Sequence, residues 1–102
     1  MKKITILAAL IFSFTVHANI VCDGGGITVD INESKKELTL SGTHGGENYH
    51  GVIRNLGGSG EEFTGSTNEG NFRGLTINID DGELVIINAS GKRMPIIDVI
   101  CD

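Results

Sequence analysis

Alternation of apolar and polar residues with a period of two is the feature that most constrains the fold of this chain. In residues 26–32 every second residue is Ile or Val, and residues 37–41 repeat the pattern with leucine. Such alternation places the apolar side chains on one face of a β-strand. The polar segment 32–36 between these strands has the length of a hairpin connection. The pattern therefore predicts an antiparallel hairpin with one apolar face.

The same period continues in shorter segments along the rest of the chain. The Asp-Asp-Gly sequence at 80–82 favours a tight hairpin turn. Pro95, the one proline, is expected at a strand start or edge because it has no N–H to donate. The pattern predicts seven or eight short antiparallel strands and no helix. Besides the first two, strands are predicted at residues 49–54, 61–64, 72–79, 83–88 and 96–101.

The two cysteines, Cys22 and Cys101, lie close to the two ends of the predicted domain. They allow one intramolecular pairing, and their spacing is unlike that of a redox-active Cys-x-x-Cys motif. In the chain-entropy model, a disulfide closing so long a loop stabilises the fold by roughly 4 kcal/mol. It would also join the first strand to the last and remove exposed edges. We therefore predict an all-β domain, a small antiparallel eight-stranded barrel or a barrel-like sandwich.

The first residues have the composition of a secretory signal peptide. A Met-Lys-Lys start is followed by an apolar run at 4–16 and by the sequence Val-His-Ala. This run is shorter than the roughly 18–20 residues that a membrane-spanning helix needs. We expect cleavage after residue 18, leaving a single domain of residues 19–102 without a membrane anchor. Its predicted location is the oxidising bacterial periplasm or the outside of the cell.

The predicted domain is strongly acidic. Removing Lys2 and Lys3 from a chain of net charge −5 leaves 6 basic and 13 acidic residues, a net charge of −7. Phosphate repulsion then disfavours nucleic acid as a partner. The acidity serves solubility or attracts a basic protein at long range.

Residues 55–65 contain four glycines and few side chains that can be buried. Glycine suits positions where the backbone turns sharply or approaches another molecule closely. We interpret the segment either as a flexible connector or as a protruding loop that presents Ser59 to a partner. Phosphate binding is disfavoured because Glu61 and Glu62 directly follow the first three glycines and repel an anion.

Several motifs follow one another in a familiar order: Cys22-Asp23, the strands at 27–42, Ser-Gly-Glu-Glu-Phe at 59–63, the acidic turn at 80–86 and a terminal cysteine. This order resembles the small bacterial inhibitors of c-type lysozyme, called MliC when membrane-bound and PliC when periplasmic. In that family, terminal cysteines pair across an eight-stranded antiparallel barrel, and a Ser-Gly-x-x-Tyr loop enters the lysozyme cleft. The resemblance implies that Ser59 donates a hydrogen bond to the catalytic carboxylates.

The second motif of that family, Phe-Trp-x-Lys-Gly followed by an acidic and apolar stretch, is not kept. Aligning residues 81–85 with the family's Gly-Asp-Glu-Ala-Thr brings Asp80 to the lysine position and Asn78 to the tryptophan position. A lysine pairs with a catalytic carboxylate, whereas an aspartate repels it. Lys92 or Arg93 on the following turn is a candidate replacement.

No metal ion, cofactor or catalytic activity is predicted. His44, Glu47 and His50 lack a further convincing metal ligand nearby, and the acidic turn at 80–83 lacks the alternating oxygens of calcium loops. A triad of Ser59, His50 and an aspartate has no support from spacing. A domain of this size also has little room for a deep substrate pocket.

The sequence thus predicts an exported inhibitor that inserts residues 57–62 into the active-site cleft of a lysozyme or similar muramidase. An acidic rim would speed the encounter with this basic partner. The alternative is a small periplasmic binding or structural module of the cell envelope with no inhibitory activity. The predicted partner-binding residues are Gly58, Ser59, Gly60, Glu61, Glu62, Asp80, Asp81 and Glu83.

Overall fold

The computed structural model describes residues 19–102, and the predicted signal peptide, residues 1–18, lies outside this range. Within the described range the chain forms eleven strands and no helix, so no helix there could cross a membrane. The strands are β1 (Ile20–Gly24), β2 (Ile27–Asn32), β3 (Glu37–His44), β4 (Glu47–Ile53), β5 (Gly57–Ser59), β6 (Glu62–Ser66), β7 (Glu69–Gly70), β8 (Phe72–Asn78), β9 (Glu83–Asn88), β10 (Ile97–Asp98) and β11 (Ile100–Cys101).

The strands form two antiparallel sheets. The first sheet has six strands in the order β11-β1-β2-β3-β4-β7, and the second has five in the order β10-β9-β8-β6-β5. Each sheet is antiparallel throughout, as the alternation predicts. The predicted eight-stranded closed barrel is wrong, because these eleven strands lie in two sheets that do not close on each other. The predicted strand at 96–101 is divided at Val99, where the chain passes from β10 in one sheet to β11 in the other.

The Asn71 side chain helps to explain why the sheets stay open at β4. Its Nδ2 donates to the Asn48 carbonyl at 2.5 Å, and its Oδ1 accepts from the His50 N–H at 2.8 Å. The Asn71 N–H also donates to the His50 carbonyl at 3.0 Å. These bonds satisfy backbone groups that a further strand would use, and capped edges of this kind resist extension of the sheet.

The predicted disulfide is present. Cys22 of β1 lies directly opposite Cys101 of β11, and their sulfur atoms are 2.01 Å apart. The bond joins the first strand to the last across a sequence separation of 79 residues. The strands β1 and β11 are therefore fastened together at one edge of the first sheet, and the described residues contain no free cysteine.

The core lies between the two sheets and is built from the alternating residues. In β2 the burial pattern is strictly alternating, with Ile27, Val29 and Ile31 each 1% exposed or less. The longer-range packing adds three aromatic side chains, Tyr49, Phe63 and Phe72. Removal of this apolar surface from water is the main favourable term in folding. The other core residues are Cys22, Leu38, Leu40, Ile53, Leu56, Leu75, Ile77, Leu84, Ile86, Ile97 and Val99.

Candidate functional site

The glycine-rich segment forms one side of a β-hairpin. Its residues Gly57–Ser59 pair with β6 in a register that opposes Ser59 to Glu62. The two residues left between them, Gly60 and Glu61, make the turn. The φ angle is +74° at Gly60 and is not positive at Glu61, which is the φ pattern of a type II′ turn. Glycine at the first central position is what this turn requires, and the segment forms a β-hairpin with β6.

Gly58 is required for a different reason. Its φ is +89°, and a Cβ built there would lie 2.1 Å from the backbone oxygen of Glu62. A Cβ at Gly60 would meet no atom within 4 Å. The two strands thus approach closely at Gly58, whereas the turn at Gly60 projects into open space. The hairpin is therefore narrow at Gly58 and open at its tip, Gly60.

This tip lies against the turn between β8 and β9. The Ile79 N–H donates to the Glu61 carbonyl at 2.7 Å, and Glu62 stands opposite Asn78. Asn78 in turn shapes the second turn, because its Oδ1 accepts from the Asp81 N–H at 2.9 Å. Two segments that are nearly twenty residues apart in the chain therefore form one surface.

Six exposed carboxylates surround the hairpin tip, and we refer to them as the acidic face. Directly opposed residues share a face of the sheet, and the register places Glu62, Asn78, Glu83 and Asp98 in one row across β6, β8, β9 and β10. Neighbouring strands are about 4.8 Å apart, so Glu83 and Asp98 are close like charges. The members of the acidic face are Glu61, Glu62, Asp80, Asp81, Glu83 and Asp98.

The electrostatics of the acidic face are dominated by mutual repulsion. A hydrogen bond and charge repulsion from Asp80 raise the pKa of Glu61, and desolvation and the charges of Asp81 and Glu62 act in the same direction. Within residues 19–102 the ion pairs are those of Arg54, with Glu37 at 3.4 Å and with Glu69 at 2.7 Å. The carboxylates of the acidic face therefore have no cationic partner in the described chain.

All eight predicted partner-binding residues lie at this end of the second sheet. Ser59 itself ends β5 at the hairpin turn. Sequence reasoning missed Asp98, since its place beside Glu83 depends on the pairing of β10 with β9. It also missed the part that Asn78 plays in the turn. No local sequence signal reveals either position, whereas the Ser-Gly-Glu-Glu and Asp-Asp-Gly-Glu stretches were recognisable from composition.

The suggested replacement of the family lysine by Lys92 or Arg93 is wrong. The Asn88 N–H donates to the Lys92 carbonyl at 2.9 Å, and Arg93 pairs with Ile87. Both cations are therefore at the end of β9 that is remote from Glu83. The five-residue step along β9 separates the two ends by roughly 16 Å. Neither cation reaches the hairpin tip.

Metal-ligating side chains are not gathered into a site in the described part of the chain, where no group of three or more His, Cys, Asp or Glu is placed to hold an ion. His44 and Glu47 are cross-strand neighbours in the β3–β4 hairpin. His50 stands opposite Ser41 farther along the same strands. The three residues therefore do not converge.

Comparison of the chain with protein-family models, with curated proteins and with solved structures gave no match. The resemblance to lysozyme inhibitors thus rests on the sequence motifs alone and stays a prediction.

Proposed function

We propose that this protein is an exported inhibitor of a lysozyme or a similar basic muramidase, and that it binds the active-site cleft with the β5–β6 hairpin tip. The observation that carries the proposal is that the hairpin tip and the acidic face occupy the same end of the second sheet. An exposed turn with a glycine at its apex suits a cleft, and the surrounding carboxylates suit the basic rim of such an enzyme.

Only the neutral part of the tip is suited to the floor of the cleft. The two carboxyl groups of a retaining glycosidase lie about 5 Å apart, and they would repel Glu61, Glu62 or Asp80. A serine hydroxyl can donate to either carboxylate. We therefore assign the floor to Ser59 and Gly60, as the motif resemblance implies for Ser59, and the rim of the cleft to the acidic face.

The charge distribution supports oriented approach to a cation. Arg73 lies at the opposite end of the second sheet, and its Nη2 donates to the Ala89 carbonyl at 3.1 Å. That end also carries Lys92 and Arg93. The seven residues of β8 separate the two ends by about 20 Å. The acidic face is thus the negative pole of the sheet, and steering by such a pole raises association rates.

The test is inhibition of cell-wall lysis by lysozymes of several types, with the purified protein and matched variants. Ser59→Ala should weaken inhibition about 10–100-fold, because a hydrogen bond to a charged group contributes about 1.5–3 kcal/mol. Ser41→Ala, which removes an exposed hydroxyl from the first sheet, is the control and should inhibit normally. Equal inhibition by the two variants would refute the assignment of Ser59.

Steering is tested separately through association kinetics. Neutralising Glu62 and Asp81 to glutamine and asparagine should slow association and leave dissociation nearly unchanged. Asp30→Asn removes one charge from the first sheet, and its side-chain oxygen can still accept the hydrogen bond from Asn19. That variant should associate almost as fast as the unmodified protein. An association rate that does not respond to added salt would contradict the proposal.

The second candidate function is a small binding module of the cell envelope with no inhibitory activity. A cleft outside the acidic face favours it, and its lining is mainly apolar. The lysis assay separates the two candidates, because a module of this kind leaves every lysozyme active. Location in the periplasm or outside the cell is part of both proposals and is supported by the disulfide, which persists in oxidising compartments.

A further inference from the structure

A cleft of about 290 Å³ lies between the two sheets, away from the acidic face. One wall is the β3–β4 hairpin of the first sheet. The other is the segment 94–97, which runs along β9 and is held there by the Met94 N–H donating to the Ile86 carbonyl at 2.8 Å. The apolar lining comes from Ile86, Met94, Pro95 and Ile97. The size is near the lower limit of small-molecule pockets, which begin at about 300 Å³.

Tyr49 is the aromatic residue that lines this cleft. The residue is 5% exposed, and its hydroxyl makes no hydrogen bond to any other residue in the range 19–102. A buried tyrosine hydroxyl usually has a partner. Among the described residues, every fully buried side-chain nitrogen or oxygen has a hydrogen-bond partner. The Tyr49 hydroxyl has none there, so it is not fully buried. Because Tyr49 lines the cleft, the cleft is where a ligand would reach it.

The other polar groups of the cleft are acceptors. His44 Nδ1 is 2.6 Å from the Gly25 carbonyl, which only accepts, so Nδ1 carries the hydrogen. In the neutral ring, Nε2 then keeps its lone pair as an acceptor. Glu47, the cross-strand neighbour of His44, adds an exposed carboxylate with no ion pair in the described chain. The cleft therefore joins an apolar wall to a rim of negative charge and lone pairs.

We propose that this cleft binds a small primary ammonium compound with an apolar body. An ammonium group has three donors, which match the Glu47 carboxylate, His44 Nε2 and the Tyr49 hydroxyl. The apolar body lies against Met94 and the neighbouring aliphatic side chains. The carboxylate selects a cation, and the Tyr49 hydroxyl supplies a neutral acceptor beside the apolar wall. The site is independent of the proposed inhibition, since it shares no residue with the hairpin tip or the acidic face.

The experiment is a titration of the ¹⁵N-labelled protein with 2-phenylethylamine, followed by amide chemical shifts. The matched ligand is 3-phenylpropanoate, which has the same ring and nearly the same length but a negative charge. The amine should shift residues 44–49 and 94–97 with millimolar affinity, and the carboxylate should bind at least 10-fold more weakly. Equal affinity for the two ligands, or no shift with the amine up to its solubility limit, would overturn the proposal.

Three variants show whether the named groups make the site. Tyr49→Phe should weaken amine binding about 3–10-fold and leave the unfolding midpoint unchanged, because the hydroxyl bonds no described protein group. Glu47→Gln should weaken it to a similar extent, whereas Asp30→Asn, which removes an equal charge from the middle of the first sheet, should not. Unaltered affinity in Tyr49→Phe, or shifts confined to the acidic face, would mean that the amine responds only to overall charge.

Discussion

Alanine substitutions at two glycines of the β5–β6 hairpin distinguish two reasons why a position requires glycine: a close approach of the backbone and a positive φ angle. Gly58 and Gly60 both have positive φ angles, +89° and +74°. They differ in what a Cβ would meet: the Glu62 backbone oxygen at 2.1 Å for Gly58, and no atom within 4 Å for Gly60. Gly60→Ala is therefore the matched control for Gly58→Ala.

The expected losses follow from these two differences. Holding alanine at a positive φ lowers the free energy of unfolding by about 1–2 kcal/mol. Alanine also restricts the unfolded chain more than glycine does, which raises the free energy of unfolding by about 0.4–1 kcal/mol. Gly60→Ala should then lower the free energy of unfolding by about 0.5–1 kcal/mol. At Gly58 the clash is with backbone that cannot rotate away, and forced overpacking adds about 1–3 kcal/mol. We expect a total of about 2–4 kcal/mol there, a large part of the stability of a domain this small.

The assay is equilibrium unfolding in urea, monitored by far-ultraviolet circular dichroism and extrapolated linearly to water. Amide hydrogen exchange in β5 and β6 shows in addition whether the loss at Gly58→Ala is confined to the hairpin. If the two variants lose the same free energy, within about 0.5 kcal/mol, the close approach at Gly58 is not a constraint, which would refute the pairing of β5 with β6 at this position.

Three further measurements test the charges and the disulfide. Asp80→Asn should lower the pKa of Glu61 towards its usual value and raise stability at pH 7. Because the raised pKa makes the folded state bind the proton more tightly, this gain fades as the pH falls through the raised pKa and is gone below 4.5. Arg54→Gln removes the hydrogen bond and the charge that lower the pKa of Glu69, so NMR titration of the variant should find a higher pKa for Glu69. In the unmodified protein the ion pair stabilises the fold above pH 4.5, and this stabilisation is lost as the pH falls through the lowered pKa of Glu69. Reducing the disulfide should cost about 4.5 kcal/mol in urea unfolding, from a separation of 79 residues; a loss under about 1 kcal/mol would contradict the chain-entropy account.

Local patterns predicted the strands well because they depend on neighbouring residues. The side chains of a strand alternate between its two faces, so Ile27, Val29 and Ile31 could be assigned to the core before their partners were known. The pairing of Cys22 with Cys101 followed from there being two cysteines in a domain predicted to be exported. The polar segment 32–36 was likewise predicted as a hairpin connection, and in the structure the connection is residues 33–36, ending with Lys36 at a φ of +56°.

Sequence alone therefore determined the strand faces, the disulfide and the acidity of this protein. Tertiary structure decided that Asn71 caps β4, that the sheets stay open, and that Asp98 joins the acidic face. It also decided that the hydroxyl of Tyr49 lacks a partner among the described residues. The physical reason is range: strand alternation and turn conformation arise within a few residues, whereas register and hydrogen-bond partners depend on packing between segments far apart in the chain.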